Sequence, residues 1–198
     1  MIRKFAAVMA CILSMGAMGI STAQAGTVQW GDGFEFNGNG GWWFAGNAGI
    51  DHGIGLAHWG NNNGWVRNWD PNVWNAVNTN LPTVAGEWCT VSVWIRASAN
   101  LQNGDIAVRS WRDGLPGLNS IHLAATPGGY NRYEFSFVAD SHHALFYAGF
   151  WGTGQDQWIQ VDDLHITCNN PWGLRGASQP ADELQPSTDE LQSPADEQ

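Results

Sequence analysis

Short runs of alternating apolar and polar positions fill the chain between Thr27 and Thr167, and no window repeats apolar residues at helical spacing. Around residues 90–96 every second position is Val or Ile, and the same period of two recurs at residues 106–109 and 133–137. Clusters of Gly, Asn, Asp and Pro separate the runs, as turns separate strands. The pattern predicts an all-β domain built as an antiparallel sandwich or barrel.

Two stretches depart from simple alternation. Residues 145–148 (Leu-Phe-Tyr-Ala) are almost continuously apolar, which is typical of a central strand with both sides covered. Across residues 159–166 the apolar positions change from odd to even numbers. An extra residue in one strand produces such a change of phase, so we predict a β-bulge at Asp162 and Asp163.

The beginning of the chain has the pattern of a secretory signal peptide. Arg3 and Lys4 precede an apolar run over residues 5–20, and Ala23 and Ala25 complete an A-x-A cleavage site. A membrane anchor is the alternative, but the run is short for a span and leads directly into the processing site. We therefore predict a signal peptide over residues 1–25, an extracellular protein and no membrane insertion.

The end of the chain is acidic and repetitive. Asp-Glu-Leu-Gln occurs at residues 182–185 and again at 189–192, with prolines between and after the two copies. The seven-residue spacing suggests a coiled coil, but proline interrupts helices and one leucine per repeat cannot build an apolar seam. We predict a disordered acidic tail over residues 176–198 and one globular domain over residues 26–175.

The charge balance excludes one class of partner. The full chain carries a formal charge of −10, and its only lysine lies in the predicted signal peptide. Binding to nucleic acid requires clustered positive charge that displaces counterions from phosphate. We expect no nucleic-acid partner, and the composition leaves the oligomeric state open.

Two cysteines, Cys89 and Cys168, remain after the predicted signal peptide is removed. In an oxidising compartment such a pair is typical of a disulfide. A zinc site would need further ligands at close spacing, which neither cysteine has. A buried pair of free thiols is the open alternative.

Several segments resemble one family when they are taken in order. They are Gly33-Phe34-Glu35 and the runs at residues 63–67, 74–77, 91–98 and 158–164. Together they resemble bacterial, particularly actinobacterial, carbohydrate-binding modules with the galactose-binding-domain-like jelly roll. The resemblance covers nearly the whole domain, and it implies a jelly-roll β-sandwich that binds saccharides.

The resemblance also implies a structural calcium ion. In such modules the first and last strands lie close together, and acidic residues from both commonly hold the ion. Here these residues would be Glu35 and either Asp162 or Asp163. A hard cation that gathers carboxylate and carbonyl oxygens would offset the repulsion between the acids. Solvated acids at strand ends are the alternative interpretation.

The aromatic residues offer an independent reason to expect sugar binding. The chain contains 13 tryptophans. An indole ring matches the C–H face of a sugar by apolar contact and dispersion, and Arg or Asn side chains can bond its hydroxyl groups. We nevertheless expect most of these tryptophans to fill the core.

Strand phase selects the candidates for the binding surface. Where Val or Ile faces the core, the intervening Trp and Arg face outward. Three strands place Trp and Arg in this way, so we predict one outer platform on one sheet. The candidate sugar-binding residues are Trp65, Arg67, Trp69, Trp94, Arg96, Arg109 and Trp111.

No pattern in the sequence indicates catalysis. Residues 140–143 (Asp-Ser-His-His) contain the residue types of a catalytic triad, but neighbours in sequence rarely converge in that way, and we predict a hairpin turn. The sequence therefore predicts a secreted, non-catalytic binder of a poly- or oligosaccharide. A structural or adhesion protein is the alternative, and a polysaccharide-degrading enzyme is a third reading.

Overall fold

The computed structural model describes residues 28–36, 40–111 and 117–169. The predicted signal peptide and acidic tail lie outside these residues. Within them the alternating runs form eleven β-strands and no helix. The strands are β1 (Val28–Asp32), β2 (Trp42–Ala45), β3 (Ala48–His52), β4 (Asn62–Asn68), β5 (Trp74–Pro82), β6 (Trp88–Ala97), β7 (Gly104–Ser110), β8 (Gly117–Leu123), β9 (Asn131–Val138), β10 (His143–Trp151) and β11 (Gln157–Asn169).

The strands form two antiparallel sheets that face each other. The first sheet has the order β3-β4-β11-β6-β9, with β1 also paired to β11, and the second has the order β2-β5-β10-β7-β8. The predicted jelly-roll β-sandwich is confirmed. No helix long and apolar enough to cross a membrane occurs among the residues that the structure describes.

The core lies between the sheets and consists of the residues that alternation placed inward. Val91, Val93 and Ile95 of β6 are completely buried, as are Ile106 and Val108 of β7. The near-continuous apolar run at residues 145–148 belongs to β10, which is the central strand of the second sheet. Side chains from both sheets thus exclude water from one shared interior.

Strand β11 organises the first sheet. It pairs with β6 along its length, while its other edge pairs with β4 over residues 157–161 and with β1 over residues 164–168. The register shifts between Asp162 and His165, which confirms the predicted bulge. Because of the bulge, Ile159 and Leu164 both face the core although their phases differ.

The two cysteines form a disulfide between neighbouring strands of the first sheet. Cys89 of β6 lies directly opposite Cys168 of β11, and both side chains are fully buried. The bond, with an S–S distance of 2.08 Å, joins positions 79 residues apart, so it closes a large loop in the unfolded chain. The predicted disulfide is confirmed, and the free-thiol alternative is excluded.

Candidate functional site

The outer face of the first sheet carries a straight row of polar and aromatic side chains. Gln160 of β11 lies opposite Trp65 of β4 on one side and opposite Arg96 of β6 on the other. In the adjacent row, Trp158 lies opposite Arg67. These side chains point away from the core because the residues that alternate with them, such as Val66 and Ile159, are fully buried.

These rows form the floor of a cleft of about 640 Å³. Ile54 and Leu56, from the loop between β3 and β4, supply one wall. Trp69, just after β4, and Asp156, just before β11, lie at the other end. The cleft therefore depends on the pairing of four strands and on the position of one loop.

The indole of Trp65 extends over the neighbouring strand β3. Gly49 lies opposite Trp65, and a methyl group added at Gly49 would come within 3.1 Å of the indole ring. That distance is tighter than an ordinary van der Waals contact. The absence of a side chain at Gly49 thus lets the ring occupy its position in the cleft.

An ion pair fixes one cationic group of the cleft. Arg67 donates to both carboxylate oxygens of Asp156, from Nε at 2.8 Å and from Nη2 at 2.5 Å. The same bonds lower the pKa of Asp156. Because both side chains are about half exposed, the pair adds little stability, and its main effect is to orient the guanidinium group near the Trp69 ring, 6.0 Å away.

Two other polar groups at the floor have hydrogen-bonding capacity left over. The Gln160 side chain is 6% exposed, and its Oε1 has no hydrogen-bond partner. The guanidinium of Arg96 lies 5.6 Å from the Trp158 ring centre and pairs with no carboxylate among the described residues. A buried acceptor without a partner costs free energy, which a bound hydroxyl group would recover.

Asp51 is the second carboxylate of the cleft. Burial raises its pKa, while a 3.4 Å hydrogen bond from Asn63 Nδ2 acts in the opposite direction. Asn63 is fully buried and its own Oδ1 has no partner. This end of the floor is therefore polar and incompletely hydrogen-bonded.

The bulge of β11 holds the loop that walls the cleft. Oδ2 of Asp162 accepts hydrogen bonds from the backbone N–H of His58 at 2.7 Å and of Trp59 at 3.2 Å, and Oδ1 accepts one from Asp163 N–H at 2.8 Å. Burial raises the pKa of Asp162 to about 6, although these bonds favour the ionised form. One buried carboxylate thus joins the bulge to the loop.

Further contacts secure the same loop. Glu35 Oε1 accepts from the backbone N–H of Asn61 and Asn62, both at 2.8 Å. The Tyr130 hydroxyl donates to the Leu56 carbonyl at 2.9 Å. His58 Nδ1 lies 2.6 Å from an Asp163 oxygen.

The structure brings together four of the seven predicted sugar-binding residues. Trp65, Arg67, Trp69 and Arg96 all line the cleft. Trp94 lies on the same sheet face but not in the cleft, because the His58 ring stacks on it at 3.9 Å with an interplanar angle of 15°. One face of Trp94 is therefore covered by protein.

The prediction of a single platform is wrong for the remaining two residues. Arg109 belongs to β7 of the second sheet, and Trp111 is the first residue after that strand. Both residues are exposed, but on the opposite side of the sandwich from the cleft. Period-two alternation shows which residues face away from the core, but not which of the two sheets a strand joins.

Among the residues that line the cleft, sequence reasoning missed Trp158, Gln160, Asp51 and Asp156 as candidates. The alternation of Ile159 and Val161 already placed Trp158 and Gln160 outward, so that signal was available. Asp51 and Asp156 carried no such signal, because their position in the cleft follows from strand pairing and from a loop.

The expectation that most tryptophans fill the core is also wrong. Of the tryptophans that the structure describes, Trp42 alone is buried, at 3% exposure. Its ring stacks on Phe34 at 4.2 Å. The others are half-buried or exposed, because the inward positions are taken by aliphatic residues and phenylalanine.

The triad-like segment forms a turn, as predicted. It connects the end of β9 at Val138 to the start of β10 at His143. Ser141 Oγ donates to the His143 carbonyl at 2.5 Å and lies 3.2 Å from an Asp140 oxygen. These contacts stabilise the turn, and neither of them joins the hydroxyl to a histidine ring, as a catalytic triad would require.

The acids predicted to bind calcium have other partners. No group of three His, Cys, Asp or Glu side chains within the described ranges could hold a metal ion. Glu35 Oε1 and both oxygens of Asp162 accept backbone N–H groups, which would repel a cation at the same place. In this arrangement the residues do not fit a calcium shell, and the ion remains a prediction of the resemblance.

Comparisons with known proteins show the fold but not a family. No family model and no curated protein matches the sequence. The solved structures with similar folds include a cleaved adhesin domain of Lys-gingipain from Porphyromonas gingivalis W83. That domain is 13% identical over 70% of this chain and 97% of its own, with a TM-score of 0.54.

Two further similar structures are carbohydrate-binding modules. The CBM22-1 xylan-binding domain of Paenibacillus barcinonensis Xyn10C is 13% identical, covers 74% of this chain and 96% of its own, and gives a TM-score of 0.53. TmCBM61, solved with β-1,4-galactotriose, is 16% identical, covers 68% of this chain and 92% of its own, and gives a TM-score of 0.52. The chain has the fold of these modules.

We expect Asp162→Asn to release the loop between β3 and β4. The asparagine side chain keeps only one oxygen that can accept these backbone hydrogen bonds. Its NH₂ group would face backbone N–H donors in place of the second oxygen. The free energy of unfolding should fall by about 1–3 kcal/mol, the range for a buried hydrogen-bonding group left unsatisfied. Urea denaturation measures the loss, and chymotryptic cleavage after Leu56 or Trp59 reports exposure of the loop.

Asp105→Asn is the matched control, because Asp105 lies on the second sheet, far from the loop, and its carboxylate lies 3.3 Å from His122 Nδ1. It should change neither the stability nor the cleavage. An Asp162→Asn variant with normal stability and an uncleaved loop would contradict the assigned role.

Chelation tests the calcium prediction. Because amide N–H groups already occupy the carboxylate oxygens, we expect the melting temperature to be the same in EDTA and in calcium. A lower melting temperature in EDTA, restored by calcium but not by magnesium, would show that the acids rearrange around an ion.

Proposed function

We propose that this protein is a secreted, non-catalytic carbohydrate-binding protein whose cleft on the first sheet holds part of a poly- or oligosaccharide. One observation carries the proposal. The cleft combines three indoles with the unpartnered oxygen of Gln160 and the unpaired guanidinium of Arg96.

The chemistry of the cleft suits a sugar. Trp65, Trp69 and Trp158 offer apolar surface to the C–H faces of pyranose rings. Gln160 accepts hydrogen bonds and Arg96 donates them, which matches hydroxyl groups that do both. Small-ligand sites usually combine apolar surface with a few directional polar groups, as this cleft does.

The positions of the acids favour binding over hydrolysis. Asp51 pairs with Asn63 near the start of β4. At the other end of β4, Gln157 pairs with Asn68, and Asp156 is the residue just before Gln157. The two acids are thus about six residues apart along β4, or roughly 20 Å at the rise of an extended strand. Glycosidases place their two carboxyl groups about 5–10 Å apart, so this pair cannot flank one glycosidic bond.

The fold neighbours support a saccharide ligand and also a second candidate. One similar module is described as xylan-binding and another was solved with β-1,4-galactotriose. The Lys-gingipain domain is an adhesin domain, so adhesion to a protein is the second candidate function. The buried disulfide is consistent with the export predicted from residues 1–25.

Replacing an indole of the cleft should weaken saccharide binding. Trp158→Ala removes one stacking surface, for which base–aromatic stacking suggests about 1–3 kcal/mol, or roughly 5- to 150-fold in Kd. Depletion assays on insoluble cellulose, chitin and xylan and calorimetry with soluble β-glucan measure the affinity.

Trp88→Ala is the matched control, because Trp88 is 50% exposed and does not line the cleft. It should leave Kd unchanged. Equal affinities of the wild type and Trp158→Ala would remove the cleft as the site, and absence of binding to every polymer would favour the adhesion function.

Replacing Gln160 should separate binding from stability. Gln160→Leu removes the buried oxygen that has no partner, so the melting temperature should hold or rise. The saccharide loses one or two hydrogen bonds, which corresponds to a Kd about 3- to 10-fold higher. Calorimetry and thermal denaturation of the same preparation test both effects.

A variant that loses stability and keeps its affinity would contradict this role of Gln160. Gln155→Leu is the control, because Gln155 is an exposed residue of a neighbouring turn. It should leave both quantities unchanged.

A further inference from the structure

The outer face of the second sheet carries a separate group of aromatic side chains. We define the second aromatic face as Trp43, Trp74, Tyr147, Trp151 and Arg109, contributed by strands β2, β5, β7 and β10. These side chains point outward, because the residues that alternate with them belong to the core. Tyr147, for example, lies between the fully buried Phe146 and Ala148.

Three rings of this face, those of Trp74, Trp151 and Tyr147, form one connected cluster. Trp74 lies opposite Trp151 in the register of β5 and β10, and their ring centres are 5.6 Å apart. The Trp74 ring also meets Tyr147 edge-on at 5.7 Å. Trp43 and Trp151 remain 39% and 48% exposed, so water reaches their surfaces.

Small residues separate the two rows of rings. Ala76 lies opposite Gly149 in the register, between the Trp74–Trp151 row and the row that contains Tyr147. A methyl group added at Gly149 would come within 2.6 Å of the Ala76 methyl carbon. Ala76 and Gly149 are both buried although they lie on the outer side of the sheet, because the rings of Trp74 and Tyr147 meet above them.

Polar groups accompany the rings on this face. The guanidinium of Arg109 lies 5.0 Å from the Tyr147 ring centre and pairs with no carboxylate within the described part of the chain. Arg109 and Tyr147 also border a cavity of about 680 Å³ with Asn119 and Ser120 of β8. The Asn119 amide already bonds Ser136 and Ser120, so the groups that resemble the chemistry of the cleft are the rings, the Arg109 guanidinium and the Ser120 hydroxyl.

We propose that the second aromatic face is a second saccharide-binding surface and that the protein is bivalent, joining two polysaccharide chains. The inference rests on the proposed function of the cleft. The two surfaces belong to different sheets of a sandwich, so they face opposite directions about 10 Å of core apart. A chain bound in the cleft leaves the second face accessible, and one domain can therefore link separate chains.

Soluble xylan, mixed-linkage β-glucan and galactan, each in turn, are the probes. Wild-type protein should bind two saccharide segments per domain in calorimetry with oligosaccharides of the polymer that it recognises. It should also raise the light scattering of that polymer, because bivalent protein links the chains. Light scattering of the protein alone establishes that it is a monomer under the same conditions.

Two double variants each remove one surface. Trp69→Ala/Trp158→Ala affects the cleft, and Arg109→Ala/Trp151→Ala affects exposed residues of the second aromatic face. Each should bind one segment per domain and no longer raise the scattering. An equimolar mixture of the two variants should also fail to link chains, because each molecule is monovalent. Trp88→Ala should behave as the wild type.

The outcomes separate this inference from the proposed function. A wild type with one segment per domain, abolished by the cleft variant alone, would overturn bivalency and leave the cleft function intact. Binding abolished by the second-face variant alone would overturn bivalency and move the function to the second sheet. Normal linking by the second-face variant would show that this face binds no sugar, and a wild-type dimer would assign the face to a second copy of the chain.

Discussion

The buried carboxylate of Asp162 is the contact on which the candidate site depends. It lies where β11 exchanges one neighbour, β4, for another, β1, and it accepts three backbone hydrogen bonds there. Two of those donors belong to the loop between β3 and β4. Without this contact the loop would lose its buried anchor and keep only the contacts of Glu35, Tyr130 and Asp163, which would weaken both the wall of the cleft and the cover over Trp94.

The bulge makes that contact possible. In a regular strand, residues 159–166 would alternate without interruption, and Ile159 and Leu164 could not both reach the core. The extra residue, Asp163 with φ of 46°, restores the inward phase and leaves adjacent carboxyl groups on the outer side of the sheet, where the loop covers that of Asp162. A phase change that serves packing thus also supplies the acceptors that fix the loop.

The sequence was sufficient for the parts of the structure that depend on local alternation. It predicted an antiparallel sandwich or barrel, the inward residues of β6 and β7, the bulge and the disulfide, because a period of two and a cysteine count carry that information; the choice of the sandwich came from the resemblance. It could not assign Arg109 to a sheet, since sheet membership is decided by pairing between distant strands. The calcium ion that the resemblance implies at Glu35 and Asp162 or Asp163 stays a prediction, because an acid that binds calcium and one that accepts amide hydrogens look the same in sequence.

Placing so many tryptophans on the surface has a physical cost that the composition offsets. Exposed aromatic surface promotes self-association, and Trp69, Trp111 and Trp151 are each about half exposed. A formal charge of −10 makes the molecules repel one another at long range. That charge leaves an uncharged saccharide unaffected, whereas it opposes close approach of a second copy of the chain. Surface rings retained under these conditions are better explained by a neutral ligand than by assembly of the protein with itself.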